Sequence, residues 1–187
     1  DFSHPSPGVD MNMIRTYNSQ ATYKTPLGYG WDFGFNIMLL TEYNENHEEI
    51  GMILKMGDGT LYRFAKNLDG TYQQPADAYM DLAKDQLTER FTVKFKGGTE
   101  YHFNAYMQIE CIEDRNGNML HMEYDTTRGN LIRVYDDVGN EIGLTYTYSS
   151  VDGEADRLDT VCDADVARRV FHYVQDSELH RLSEAYI

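Results

Sequence analysis

Apolar and polar residues alternate with a period of two along much of the chain. In "FTVKFKGGTEYHF" (91–103), Phe91, Val93 and Phe95 share one face, and Tyr101 and Phe103 follow the Gly97-Gly98 pair. That period sends successive side chains to opposite sides of a strand, so the segment predicts a hairpin with one buried face. A two-residue loop at Gly97-Gly98 would set Phe95 opposite Glu100 and bring a carboxylate onto the apolar face. A three-residue loop, Gly97-Gly98-Thr99, sets Phe95 opposite Tyr101 and Val93 opposite Phe103, and the buried face selects it, with a glycine in the left-handed conformation. The same reasoning applied to "MILKMGDGTLYRF" pairs Met56 with Tyr62 and Leu54 with Phe64 around Asp58-Gly59-Thr60. Gly59 and Gly98 are the structural glycines of these turns, and a further Asp-Gly-Thr at 69–71 predicts another turn. One stretch, "PADAYMDLAKDQL" (75–87), places Ala78, Leu82 and Ala83 near helical spacing and leaves a short helix open.

Two later stretches use the same turn chemistry and nearly the same words. "DRNGN" (114–118) brings Ile112 opposite Leu120 around Arg115-Asn116-Gly117, and "DDVGN" (136–140) brings Val134 opposite Ile142 around Asp137-Val138-Gly139. Asp114 and Asp136 can accept backbone N–H bonds across their turns. Gly117 and Gly139 supply the positive φ that closes them. The return strands run to Tyr124 and Tyr146, and Tyr173 is the corresponding tyrosine of the next unit. The unit openings read "IECIED" (109–114), "LIRVYD" (131–136), "LDTVCD" (158–163) and "LHRLSE" (179–184), at spacings of 22, 27 and 21 residues. The long interval holds "SSVDGEAD" (149–156), read as a loop insertion. The third unit has Val166 where the others carry glycine, so its turn must be built differently. Repeats of this length cannot bury their own faces, and isolated hairpins are marginal in water. Stacked hairpins form one sheet that behaves as a linear array. The expectation is an all-β chain whose antiparallel hairpin repeats form a continuous, curved sheet. Residues 1–108 form an N-terminal hairpin region, and units follow at 109–130, 131–157, 158–178 and, in part, 179–187.

Composition sharpens this reading. The chain has 15 Tyr and 8 Phe against 4 Pro, which suits the pleated, half-buried surface of sheets. A net charge of −15 argues against nucleic acid and against anionic membrane surfaces as partners. No apolar run reaches the roughly 18 residues of a membrane-spanning helix, so membrane insertion is not expected. The opening "DFSHPSPGVD" lacks the basic and apolar character of a signal peptide. Cys111 and Cys162 sit in apolar strand patterns and read as two unpaired thiols.

Candidate chemistry is sparse. Asp114, Asn116 and Asn118 alternate as calcium ligands do, but Asp125 stands where a calcium loop needs a bidentate Glu, and turn chemistry accounts for them better. The histidines at 4, 47, 102, 121, 172 and 180 show no metal-binding spacing, and no serine lies in a nucleophile elbow. No catalytic residue, metal or cofactor is expected, and the chain is not expected to be an enzyme. Trp31, in "GYGWDFGF", is the lone tryptophan. It reads as a plug at the N-terminal end of the sheet, with a sugar-stacking role as the alternative.

"GNLIRVYDDVGNEIGLTYTY" resembles an Rhs or YD repeat, in which Gly-x-Leu leads through Asp-x-x-Gly-Asn to alternating apolar residues and Tyr-Asp. "YDTTRGNL" (124–131) carries the Tyr-Asp with the following Gly-x-Leu. "IRTYNSQ" (14–20), "LGYGWDFGFNIML" (27–39), "DGTLYRF", "LDGTYQQPADAY" and "GGTEYHF" resemble the region that precedes the first repeats in that family. The resemblance covers nearly the whole chain. It implies a segment of a long sheet that spirals into a hollow shell. In bacterial Rhs toxins and the C components of insecticidal toxin complexes, such a shell encloses a C-terminal toxic domain. Related repeats occur in wall-associated bacterial proteins and teneurins. The expected partner is then the remainder of a larger polypeptide, secreted or at a cell surface. Because "LHRLSEAYI" stops partway into a unit, the chain reads as a fragment, or as a segment that self-associates by edge pairing. The alternative is an extracellular module that binds glycan or protein.

Overall fold

The computed structural model describes residues 1–147, 156–163, 170–176 and 181–186. The expected insertion at 149–156, apart from its last residue, and the turn around Val166 lie outside them. The strands are β1 (Phe2–His4), β2 (Met11–Met13), β3 (Arg15–Tyr17), β4 (Lys24–Thr25), β5 (Gly28–Tyr29), β6 (Trp31–Phe33), β7 (Met38–Tyr43), β8 (Glu49–Lys55) and β9 (Leu61–Ala65). They continue with β10 (Met80–Lys84), β11 (Phe91–Phe95), β12 (Glu100–Phe103), β13 (Ile109–Glu113), β14 (Met119–Tyr124) and β15 (Leu131–Asp136). The last are β16 (Glu141–Thr147), β17 (Arg157–Asp163), β18 (Val170–Asp176) and β19 (Arg181–Tyr186). Among the described residues the chain is all β, every pairing is antiparallel, and there is no helix.

β10 to β19 make one ten-stranded open sheet in which each strand neighbours the next in sequence. β7–β8–β9 form a three-stranded sheet, and β1–β2, β3–β6 and β4–β5 are two-stranded ribbons. The stretch that left a helix open is strand β10. Met80 and Leu82 are buried while Asp81 and Ala83 are exposed, a period of two that only a strand can satisfy.

The registers expected at Ile112↔Leu120 and Val134↔Ile142 are those observed. The two upstream hairpins differ from expectation by two residues. Val93 lies opposite Tyr101, and Leu54 opposite Tyr62. Their loops are Lys96-Gly97-Gly98 and Gly57-Asp58-Gly59, closed by Phe95 N–H donating to Thr99 O and Met56 N–H donating to Thr60 O, both at 2.9 Å. A slip of two keeps every side chain on its own face, so the apolar pattern cannot separate the two registers. The glycine decides. It must be the last loop residue, where Gly59 and Gly98 take φ of +84° and +87°.

One face of the ten-stranded sheet is apolar, and the N-terminal strands lie on it. Met11, Met13, Phe33, Ile37 and Leu54 join Val93, Ile112, Leu120, Val134 and Val161 in a single buried cluster. Phe64 and Phe103 are fully buried in it, each contributing on the order of 1.5–3 kcal/mol. Backbone bonds stitch the two parts together. Leu39 N–H donates to Met107 O at 2.8 Å, Ile109 N–H to Ile37 O at 3.2 Å and Leu158 N–H to Pro26 O at 2.9 Å.

Candidate functional site

The turns are the most regular feature of the molecule. Those at 44–48, 56–60, 67–71, 95–99, 104–108, 114–118 and 136–140 share one closure, the first N–H donating to the fifth carbonyl. The fourth residue is left-handed in each. It is Gly59, Gly70, Gly98, Gly117 (φ +84°) or Gly139 (φ +100°), and His47 and Met107 take the same place at +61° and +63°. Asp114 Oδ1 accepts the N–H groups of Asn116 and Asn118, and its Oδ2 accepts the Asn118 amide at 2.8 Å. The Asn118 side chain first, with those backbone donors, pulls the Asp114 carboxyl from 3.8 to about 2. Asp136 repeats the arrangement with Val138 and Asn140. It adds the Ser6 hydroxyl, which donates to Oδ2 at 2.6 Å. Burial pushes the Asp136 carboxyl up, but these donors outweigh it and the net shift is downward.

A second turn class, at 85–90 and 125–130, has one more residue. Asp85 N–H donates to Arg90 O and Asp125 N–H to Asn130 O, with Glu89 and Gly129 left-handed. Each leading carboxylate accepts two backbone N–H groups within its turn through Oδ1. The Tyr-Asp pair acquires a physical meaning here. Asp125 caps its turn, while the Tyr124 hydroxyl donates to Ile109 O, at 2.8 Å, at the start of β13, the partner strand of the same hairpin. The following Arg128 and Asn130 reach the buried Asp156 just before β17. Tyr146 and Tyr173 lie in β16 and β18, opposite Leu158 and Ala185.

The other sheet face is polar. Thr92, His102, Cys111, His121 and Tyr135 are successive cross-strand partners from β11 to β15 and line a shallow cleft of about 600 Å³. His121 contacts Asp137 at 3.0 Å and stacks on Tyr135, and His102 faces Glu113 at 3.4 Å. Burial, then the charges of Glu113, Asp137 and Glu110, push the Cys111 thiol up to about 11. It therefore stays protonated at neutral pH and is a poor nucleophile. Cys111 and Cys162 are both free thiols. Among the described residues no group of His, Cys, Asp and Glu is arranged to hold a metal ion.

Trp31 lies in β6, half-buried against the core, with Tyr17 at 5.1 Å and the Arg15 guanidinium 5.9 Å over its ring. Beside it is a group that the pattern of the sequence did not single out. Asp32 and Lys55 form an ion pair at 2.5 Å with side chains only 3% and 6% exposed. Tyr23 donates to Asp32 Oδ2 at 3.1 Å. Burial first, then Asp32, raise Tyr23 to about 12, so its hydroxyl keeps its proton. Lys55 ends the apolar run "GMILK" one residue out of phase with the buried Met52 and Leu54, so the alternation gave no hint of its burial.

Residues 1–64 match the family described as a domain of unknown function, DUF6531. Over 104 residues, 56% of the chain, it is 31% identical to the tRNA3(Ser)-specific nuclease WapA of Bacillus spizizenii. Over the same length it is 30% identical to the tRNA nuclease WapA of Bacillus subtilis strain 168, and to the tRNA(Glu)-specific nuclease WapA of Bacillus subtilis subsp. natto. The chain is similar to the WapA nucleases. It spans about 4% of the length of these curated relatives. The expectation that the chain is not an enzyme is corrected by these relatives, which are named as tRNA nucleases.

Proposed function

We propose that this chain is a structural segment of an Rhs/YD-repeat β-shell within a larger, secreted or surface-located protein. In this reading the shell encloses or presents an effector, and the relatives suggest a nuclease directed at tRNA. The observation that carries it is the ten-stranded sheet itself. Each unit adds two strands in sequence order, and β10 and β19 end the order as edges to which further strands can add. The similarity to proteins of which it spans only about 4% supports a role as one part of a much longer chain. The acidic surface suits a segment that holds a nuclease without itself contacting RNA. A glycan-binding reading would rest on Trp31, whose ring is already engaged by Tyr17 and Arg15.

The test is limited proteolysis of the full-length protein, followed by a tRNA cleavage assay. The intact protein is expected to keep its effector region resistant to protease. Deletion of residues 1–79, which removes the cover from the apolar sheet face, should expose that region to cleavage. Equal protease sensitivity of the effector in both proteins, with the sheet still folded, would contradict the enclosing role.

A further inference from the structure

The pair formed by Asp32 and Lys55 is arranged for more than an ion pair. Lys55 Nζ lies 2.5 Å from Asp32 Oδ2 and donates to Asn36 O at 3.0 Å. The other carboxylate oxygen, Oδ1, accepts the Phe33 N–H at 3.0 Å and the Asn36 side-chain amide at 2.7 Å. Oδ2 also receives the Tyr23 hydroxyl, whose ring lies 5.5 Å from Nζ. An amine, a carboxyl carbon and a pair of N–H donors on one oxygen are thus held together, with the amine and carboxylate buried and the hydroxyl of the more exposed Tyr23 on the other oxygen. These are the parts of an acyl-transfer site, with Phe33 and Asn36 in the place of an oxyanion hole.

We propose that Lys55 and Asp32 condense into an intramolecular amide bond that staples β8 to β6. A proton passes from the ammonium to the carboxylate, giving an amine and a neutral acid, which removes two charges from a low-dielectric site. The Nζ lone pair attacks Asp32 Cγ, and the charge that develops on Oδ1 is taken by the Phe33 and Asn36 N–H groups. The Cγ–Oδ2 bond then breaks. Oδ2 departs as water, carrying the acid proton and a second proton passed from the nitrogen through the Tyr23 hydroxyl. The product is one amide and one water, with no oxidant or cofactor. Holding both reactants in contact supplies the effective concentration that an amine and an acid lack in solution. The bond would join the N-terminal ribbons to the three-stranded sheet in a chain whose two cysteines are free.

Mass spectrometry of a chymotryptic digest of the folded protein decides it, because chymotrypsin cuts at Phe33, Phe35 and Tyr43, between the two residues. The expected result is a pair of peptides joined through Asp32 and Lys55, lighter than their sum by one water. Trypsin should correspondingly fail to cut after Lys55. Lys55→Arg keeps the cation but has no amine to acylate, and should yield both peptides separate at full mass. Tyr23→Phe should accumulate the linked form more slowly. Recovery of both peptides unlinked from folded protein that has been aged in solution overturns the proposal, whether or not the variants fold.

Discussion

At the scale of single residues, the turns carry the sharpest consequences. Gly117 and Gly139 are left-handed, and a β-branched side chain there meets a steric cost of roughly 1–2 kcal/mol. Gly117→Val and Gly139→Val should each lower stability by about that amount in denaturant titrations. The converse holds at His47, an exposed residue at +61° in the same turn position. His47→Gly should raise the melting temperature, because it relieves the strain without removing packing. Asp136 is buried and accepts from Ser6, Val138 and Asn140. Hydrogen bonds to a charged group are worth about 1.5–3 kcal/mol, so Asp136→Ala should lose on that order. Asp114 has a folded-state carboxyl near 2 against an ordinary 3.8. A depressed carboxylate contributes stability above its unfolded value that fades as pH falls through the folded one. The stability difference between the protein and Asp114→Asn should therefore be constant above pH of about 4 and shrink between about 4 and 2.

At the scale of elements, the period-two pattern identified the hairpins, and the Asp-x-x-Gly-Asn turns fixed two registers outright. Leu120 and Ile142 stand where the pattern put them. The hairpins at 56–60 and 95–99 slipped because both candidate registers bury Tyr62 or Tyr101 on the same side. Only the backbone demand at Gly59 and Gly98 separates them. The stretch 75–87 was ambiguous because Ala78, Leu82 and Ala83 also fit a helical stripe, and pairing of β10 with β11 settled it. That pairing has a measurable signature. Leu82→Ala should cost about 2–4 kcal/mol, whereas Ala83→Ser, on the exposed side, should change stability by less than about 0.5 kcal/mol. What the pattern could not supply is which surface covers which. Nothing in "DFSHPSPGVD" says that Ser6 reaches Asp136, or that Gly8, at φ +82°, must lie against Asp114 with no room for a Cβ. Asp32 and Lys55 were equally hidden, because a charged residue on a strand looks the same from the sequence whether it faces solvent or the core.

At the scale of the whole molecule, the N-terminal ribbons and the three-stranded sheet cover the apolar face of the ten-stranded sheet, and the polar face with its His102–Cys111–His121 row stays open. In a shell this gives the first units a cover of their own. The edges remain templates for pairing, opposed by a net charge of −15. Salt weakens that opposition. Light scattering across a salt series should show the isolated chain associating more as ionic strength rises, through β10 or β19. The central claim, that this sheet is the start of a shell, is tested most directly by an electron-microscopy reconstruction of the full-length protein. The account predicts that the strand following β19 hydrogen-bonds along its free edge, continuing one sheet that closes around interior density belonging to the effector. A separate, closed module at this position, with β19 edged by solvent and no enclosed density, would contradict it.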